Sequence, residues 1–530
     1  MKYISSRGGG KAVSFEEAIG TGYAADGGLY MPETLPAISK EDLEAWKHLD
    51  YASLAFAVLW PFVEGEMEAD DLRRVLAGCY DDFSVDEKVR VVSGFDNAPQ
   101  IAIAELFHGP TFCFKDLGLQ VLVRLLSHFA SRRGDRKTLL VATTGDTGPA
   151  ALRAAADVDD PHLRVVVFFP EGMVSELQRL QMTTHASASV RVATFQGGGD
   201  DMDAPLKRMA MDGDFAAAHG LCGINSYNIC RPLAQMVHYV WTWLRCREQF
   251  AGGPDFVLDI VVPTGAMGNL AAATLCKRRG LPLGALCAAT NVNDISYRAI
   301  SRGDFSRAPA MQKTLSDAIN IQTPYNFERV LYYARLGDAR AVADMMKRSD
   351  AGDLQLDADT LAALKDAGPG EYRAARVDDD AMLEALRRFH AARGYVCDPH
   401  TAVAVAGADE LGYAPFGGSA ATPRPVAILA TAHPCKFQAA VTAALGDDAW
   451  TAYEASDAFP EAARALATRK EIAPLVLSKR DGETLHSAQL RWESVVRAVL
   501  EDPGGLHSAG GAEDVAGSET PAQAPPCKVL

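Results

Sequence analysis

The chain has 530 residues, 48% hydrophobic and 23% charged, and a net charge of −16 from 68 acidic and 52 basic side chains. That length exceeds one ordinary hydrophobic core and sets an expectation of two or three domains. The acidic balance argues against nucleic acid or an anionic membrane surface as the main partner, and no apolar run approaches the ~20 residues of a membrane span. The 10 cysteines are scattered without a CxxC pair, and residues 1–10 lack an apolar signal core. Both points set an expectation of a cytoplasmic protein with reduced thiols.

Residues 1–95 read as a mainly helical N-terminal domain after a short strand at 2–5. Ser14-x-x-Glu17 is a capping-box pattern that starts a helix near Phe15. Asp26-Gly27-Gly28 reads as a turn, and helical patterns follow at 53–63 and 70–82. Across 96–501 short apolar strands alternate with helices. Strands are expected at 137–142, 164–169 and 190–195, with helices opening near 149 and spanning 175–185 and 201–211. Further strands fall at 258–262, 286–290 and 426–431, with helices at 231–250, 269–278, 326–336 and 381–392. Such alternation predicts βαβ units and parallel sheets, an α/β fold. The 350–371 segment reads as polar and helical. Residues 502–530 are rich in Gly, Ala, Ser and Pro and read as a disordered tail. Their end, Cys527-Lys528-Val529-Leu530, fits a loose prenylation box without the usual basic stretch, and a plain tail ending is the preferred reading.

Five loops carry candidate chemistry. In His108-Gly109-Pro110-Thr111-Phe112-Cys113-Phe114-Lys115-Asp116 a lysine sits among small and apolar residues, where desolvation favours a neutral, nucleophilic amine; a helix-start lysine with its head in solvent is the alternative. Two strand–glycine loop–helix units, 143–148 and 263–269, could each cradle an anion on a helix N-terminus, or be plain turns. Asp146 in the first suits an anion site only if its side chain turns away to cap its own helix. Asn225, Ser226, Asn228 and Arg231 offer donors for an oxyanion, with helix capping by Asn225 or Asn228 as the alternative. His400 and His433 lack partners at metal-ligand spacing, so no metal site is expected. A reactive lysine, a phosphate cradle, a carboxylate cradle and a separate oxyanion site together suit a lysine Schiff base with pyridoxal phosphate acting on a phosphorylated amino acid.

The motifs HGPTFCFKD, TTGDTG, PTGAMGN, ATNVNDI, INIQTPYNFER, DPHTAV and LATAHPCKF, with MKYISSRG and DGGLYMP near the start, resemble the threonine synthase family. The resemblance implies the tryptophan-synthase-β fold (pyridoxal-phosphate fold type II): two parallel-sheet α/β domains, the smaller at about 135–235 inserted in the larger, behind the N-terminal helical domain. It implies Lys115 as the Schiff-base lysine with Phe114 beside the cofactor. It implies Gly265, Ala266, Met267, Gly268 and Asn269 on the cofactor phosphate, and Thr431 on the pyridine nitrogen. Thr144, Gly145, Asp146 and Thr147 would bracket the substrate carboxylate or cofactor hydroxyl, and Asn225, Ser226, Asn228 and Arg231 the substrate phosphate. The implied reaction turns O-phospho-L-homoserine and water into L-threonine and phosphate, in a monomer or homodimer. PTGAMGN where the family commonly has PTGNFGD, and NSYNI where it has NSINW, lean toward a phospho-lyase branch that releases 2-oxobutyrate and ammonia. A catalytically silent binding relative is a third reading, against which the retained Lys115 counts.

Overall fold

The computed structural model describes residues 1–185, 189–366, 371–421 and 424–501. Its strands, in chain order, are β1 Tyr3–Ser5, β2 Tyr30–Pro32, β3 Arg90–Val92, β4 Ile101–Glu105, β5 Lys137–Ala142, β6 Leu163–Pro170, β7 Val190–Phe195, β8 Leu221–Gly223, β9 Leu258–Pro263, β10 Leu283–Thr290, β11 Asp304–Ser306, β12 Asp353–Gln355, β13 Tyr372–Arg376, β14 Val426–Ala430 and β15 Leu475–Leu477. A six-stranded sheet has the order β13-β10-β9-β14-β4-β3, and a five-stranded sheet the order β15-β7-β6-β5-β8. All neighbours pair in parallel except β3, which runs antiparallel on β4. Strands β9 and β10 are buried at every position. Continuous apolar runs of this kind mark strands covered by helices on both faces.

The α/β expectation holds, and several local readings change. The helix expected at 53–63 begins at Tyr51, because Asp50 accepts the Ser53 N–H and caps it there. The 350–371 segment is not simply helical. Gly352 ends the Ala339–Ala351 helix in a left-handed conformation, φ 81°. The next residues then pair antiparallel with β11 as β12, before a helix at Ala358–Lys365. The five-stranded sheet gains a strand from far beyond residue 235. β15 pairs with β7, and the Leu485–Glu501 helix packs Trp492, Val496 and Leu500 against Phe195, Met202 and Leu206. At the other end of the chain β3 joins the large sheet, and one apolar core runs from Tyr3, Phe15 and Leu54 to Leu119, Leu233 and Leu270. Among the described residues no helix is long and apolar enough to cross a membrane. The tail at 502–530, with its Cys527 box, lies outside the described residues.

Strand β14 lies between β9 and β4. The chain leaving its C-terminal end therefore meets the loop after β9 and the approach to Lys115. Ligands of open parallel sheets collect at such C-terminal strand ends.

Candidate active site

The lysine loop is zipped to the chain that leaves β14. Phe114 N–H donates to the Thr431 carbonyl at 2.8 Å, His433 N–H to Phe112 at 3.0 Å, and Leu106 N–H to Ala430 at 2.9 Å. Phe112 takes a left-handed conformation, φ 62°, to make the bend. Lys115 then opens the Lys115–Arg133 helix. Its side chain is 12% exposed, and its Nζ lies 3.3 Å from Asp146 Oδ2 and 5.3 Å from the Phe114 ring centre.

Asp146 corrects the expectation of a helix cap. It stands at the start of the Thr147–Val158 helix, yet its side chain makes no bond to that helix. Oδ1 instead accepts from Lys436 Nζ at 2.7 Å and from Gln178 Nε2 at 2.9 Å. Lys436 is fully buried and also donates to the Thr111 carbonyl at 3.0 Å. Burial opposes the Asp146 charge, but Lys436 and Lys115 overcome it and hold the carboxyl well below the usual carboxylate range. The converse holds for Lys436: burial pulls the ammonium down, and Asp146 drives it above its ordinary value. Next to Lys115, burial pushes Asp116 up to about 6, against two bonds from Thr111 at 2.6 and 2.9 Å.

The loop after β9 enters the Gly268–Arg278 helix through Met267, whose φ is 59°. The first turn of any helix leaves N–H groups without internal acceptors, and here that turn faces the cavity. A Cβ on Gly265 would stand 2.9 Å from Ile321 Cγ1, and one on Gly268 would stand 3.0 Å from Ser226 Cβ. Glycine is what admits these neighbours. Asn269 Oδ1 accepts from Tyr239 Oη at 2.8 Å and from His238 Nε2 at 2.9 Å. Its buried Nδ2 has no hydrogen-bond partner among the described residues.

Beside this loop, Asn225, Ser226 and Arg231 reach the same cavity. Asn225 Nδ2 donates to the Ala142 carbonyl at 2.6 Å, and Arg231 Nη1 to the Ile224 carbonyl at 2.9 Å. Asn225 Oδ1 and Arg231 Nε are buried without partners among the described residues. Burial lowers the Arg231 guanidinium to about 10, so it stays charged at neutral pH. Asn228 does not join them. It is fully buried, and its amide donates to the Ile19 carbonyl at 2.8 Å and to the Gly223 carbonyl at 3.0 Å. It fastens the turn before the Cys230–Gln249 helix.

Thr144, Asp146, Thr147, Phe114, Lys115, residues 265–269 and Thr431 all line the cavity, and Gly145 does not. Gly145 has φ 134°, and a Cβ there would run into the Gln178 side chain, so its role is to let Gln178 approach Asp146. Three groups at the site went unassigned from sequence. Lys436 sits inside LATAHPCKF, and a lysine in so small and apolar a stretch was the available signal. Gln235 follows Arg231 by one helical turn and shares its face; its Oε1 is buried without a partner among the described residues. His400, weighed only as a metal ligand, lines the cavity with Nδ1 2.6 Å from Asp398 Oδ2 and Nε2 accepting the Ala318 N–H at 3.0 Å. Burial disfavours the charged ring, but the Asp398 bond and the nearby Asp317 and Asp146 carboxylates raise its pKa above the ordinary histidine value. Among the described residues no three His, Cys, Asp or Glu side chains are placed to hold a metal ion.

A lysine at the end of a parallel sheet, facing a helix-terminal cradle and two orphaned buried donors, Asn269 Nδ2 and Arg231 Nε, suits an anionic carbonyl cofactor of the kind bound by pyridoxal-phosphate enzymes of fold type II. Comparison with known proteins agrees. Family models match for the threonine synthase N terminus over residues 2–80, for pyridoxal-phosphate dependent enzyme over 97–348, and for the threonine synthase C-terminal region over 401–482. The chain is 35% identical over 448 residues to threonine synthase-like 2 of Rattus norvegicus, covering 84% of this chain and 89% of that protein. It is 34% identical over 444 residues to threonine synthase of Pseudomonas aeruginosa, covering 83% of this chain and 90% of that protein. The crystal structure of pyridoxal-phosphate-bound threonine synthase from Brucella melitensis matches with a TM-score of 0.79 at 34% identity, over 94% of this chain and 99% of that one. The chain belongs to the threonine synthase family of pyridoxal-phosphate-dependent lyases.

Proposed function

We propose that this enzyme converts O-phospho-L-homoserine and water into L-threonine and inorganic phosphate. One observation carries the reading: in the cavity that holds Lys115, the helix-terminal loop 265–269 abuts the Asn225–Ser226–Arg231 group, and each is read here as a patch for one anion. A single phosphorylated ligand needs one such patch; a phosphorylated cofactor and a phosphorylated substrate need two. In this reading residues 265–269 hold the cofactor phosphate, Thr431 faces its ring nitrogen, and Lys115 is its covalent anchor. Pyridoxal phosphate supplies an electron sink for the carbanions formed at the substrate.

The protein's own groups do the rest. The Lys115 amine, once released, removes the proton at the substrate Cα and then has a proton to return. Arg231, Asn225 and Ser226 bind the substrate phosphate and stabilise its charge as it leaves Cγ. Thr144 and Thr147 offer hydroxyl donors to the substrate carboxylate. Ala318, Ile319 and Ile321 present an apolar wall that limits water to the molecule added at Cβ. The Thr431 hydroxyl is a weaker partner for a ring nitrogen than a carboxylate, which restrains transamination. The reading carries with it a cytoplasmic location and a monomer or homodimer.

A second reading, phosphate elimination ending in 2-oxobutyrate and ammonia, has a specific observation in its favour. Met267 stands where the family commonly has Phe and lines the cavity, so the cavity wall at the cradle differs from the common pattern. The substrate assignment itself is tested by phosphate release. Wild-type holoenzyme is expected to release phosphate from O-phospho-L-homoserine, and Lys115→Ala to release none; release by the variant at the wild-type rate contradicts the assignment.

A further inference from the structure

We infer that Lys436, which does not line the cavity, is a positioning residue that keeps the Lys115 amine free to accept a proton by neutralising Asp146 from behind. The inference rests on the reading of Lys115 as the group that moves the Cα proton.

A carboxylate beside an amine, in a site with little water, forms an ion pair and holds that amine as ammonium. An ammonium ion cannot act as a base. Asp146 therefore poses a problem at 3.3 Å from Lys115 Nζ. The structure resolves it by giving Asp146 a second, permanent cation: Lys436 Nζ at 2.7 Å, on the other carboxylate oxygen. Gln178 adds a neutral donor on that same oxygen at 2.9 Å. The carboxylate still accepts a bond from the lysine and orients it, while much of its field at the amine is cancelled. Lys436 is anchored for this task. It is fully buried, bonded to the Thr111 carbonyl, and held on the short helical turn Pro434–Lys436 immediately after the Thr431–His433 stretch that is zipped to the lysine loop.

The other charged or titratable groups around this pair are accounted for. Asp116 accepts two bonds from Thr111 on the far side of the lysine loop. The Cys113 thiol is held neutral, pushed up to about 11 by burial. Across the cavity Asp398 is bonded to His400 and Asp317 lies 3.7 Å from its ring, and these carboxylates with Asp146 raise the ring above its ordinary value against burial, so His400 is a second, more distant group acting on Asp146. In this set Lys436 is the cation bonded to Asp146.

The test compares Lys436→Met, Lys436→Arg, Asp146→Asn and the Asp146→Asn/Lys436→Met double variant, each as holoenzyme, by two readouts. One is the pH dependence of the visible absorption of the bound cofactor. The other is kcat and KM for O-phospho-L-homoserine across pH. Removing the cation that offsets Asp146 strengthens the carboxylate's hold on the amine proton, so the acid limb of the kcat profile and any transition in the absorption move to higher pH. At pH 7 kcat then falls about tenfold while KM changes less than about twofold, because the change is to the base and not to the anion patches. Lys436→Arg restores the profile, and Lys436→Met adds little on top of Asp146→Asn, since both act through one carboxylate. Where Lys436→Met does not fold, Lys436→Gln, which keeps an N–H donor for Asp146, carries the same measurements. An unmoved profile overturns the inference. So does loss of cofactor or fold in both neutral variants without recovery in Lys436→Arg, because Lys436 is then a fold residue only. Failure of the substrate reading is distinguishable: wild-type enzyme then releases no phosphate, while the absorption titration, which needs only the cofactor, still reports on Lys436.

Discussion

Phe114 gives its backbone N–H to the backbone carbonyl of Thr431 at 2.8 Å. The bond leaves the Thr431 hydroxyl uncommitted to the zipper that positions Lys115, so structure and chemistry separate at this residue. Thr431→Val should fold and load cofactor normally, keep Lys115 in place, and lose about tenfold in kcat through one missing hydrogen bond of about 1–1.5 kcal/mol. The check is a visible spectrum together with steady-state kinetics.

Asn228 and Arg231 make opposite predictions although they share one motif. Asn228→Ala removes three hydrogen bonds, to the Ile19 and Gly223 carbonyls and from the Cys230 N–H, a stability effect of about 2–4 kcal/mol from the groups left unsatisfied. Its KM for O-phospho-L-homoserine should stay within about twofold of wild type. Arg231→Met keeps the side-chain bulk and removes a charged donor, so kcat/KM should fall about 10- to 100-fold, in line with a charge-assisted bond of about 1.5–3 kcal/mol. Thermal melts and kinetics on both variants separate the two roles.

Gly268 stands where the 265–269 loop meets the Asn225–Ser226–Arg231 group. A Cβ there stands 3.0 Å from Ser226 Cβ and 3.3 Å from Asn326 Nδ2. Gly268→Ala should cost about 1–3 kcal/mol of packing strain and weaken both cofactor retention and substrate affinity. Equilibrium dialysis of the cofactor and KM should therefore worsen together, whereas a substitution confined to one patch moves one of them.

These contrasts also show what could be read from residue order. The lysine loop and the 263–269 cradle are contiguous, so strand, glycine turn and helix were legible as they stand. Asparagine suits a cap, a turn and an oxyanion site equally; here the capping alternative holds for Asn228, whose Oδ1 accepts the Cys230 N–H at 3.2 Å while its amide reaches Ile19 and Gly223. Asp146 occupies an N-cap position, where aspartate ordinarily bonds its own helix; a buried lysine from a segment 290 residues further on outcompetes that bond, and no local pattern announces it. The same holds for β15, a three-residue strand whose identity comes from the edge of β7.

Asp116 predicts a pH signature. Burial raises its folded value to about 6, above the ordinary aspartate value of about 3.9, so the folded state binds a proton more tightly than the unfolded chain. That contribution is full below about pH 4 and is lost as pH rises through about 6, worth on the order of 2–3 kcal/mol. Wild type should therefore lose stability over that window relative to Asp116→Asn. Denaturant melts at several pH values give the slope, which is the quantity at issue whatever the absolute cost of the substitution.

The most direct measurement is product partition. Wild-type holoenzyme is given O-phospho-L-homoserine, and L-threonine, 2-oxobutyrate and phosphate are quantified in one sample. The account predicts about one threonine per phosphate, with 2-oxobutyrate a minor product. Phosphate matched by 2-oxobutyrate and ammonia, with threonine absent, would contradict it and place the chain with the eliminating enzymes.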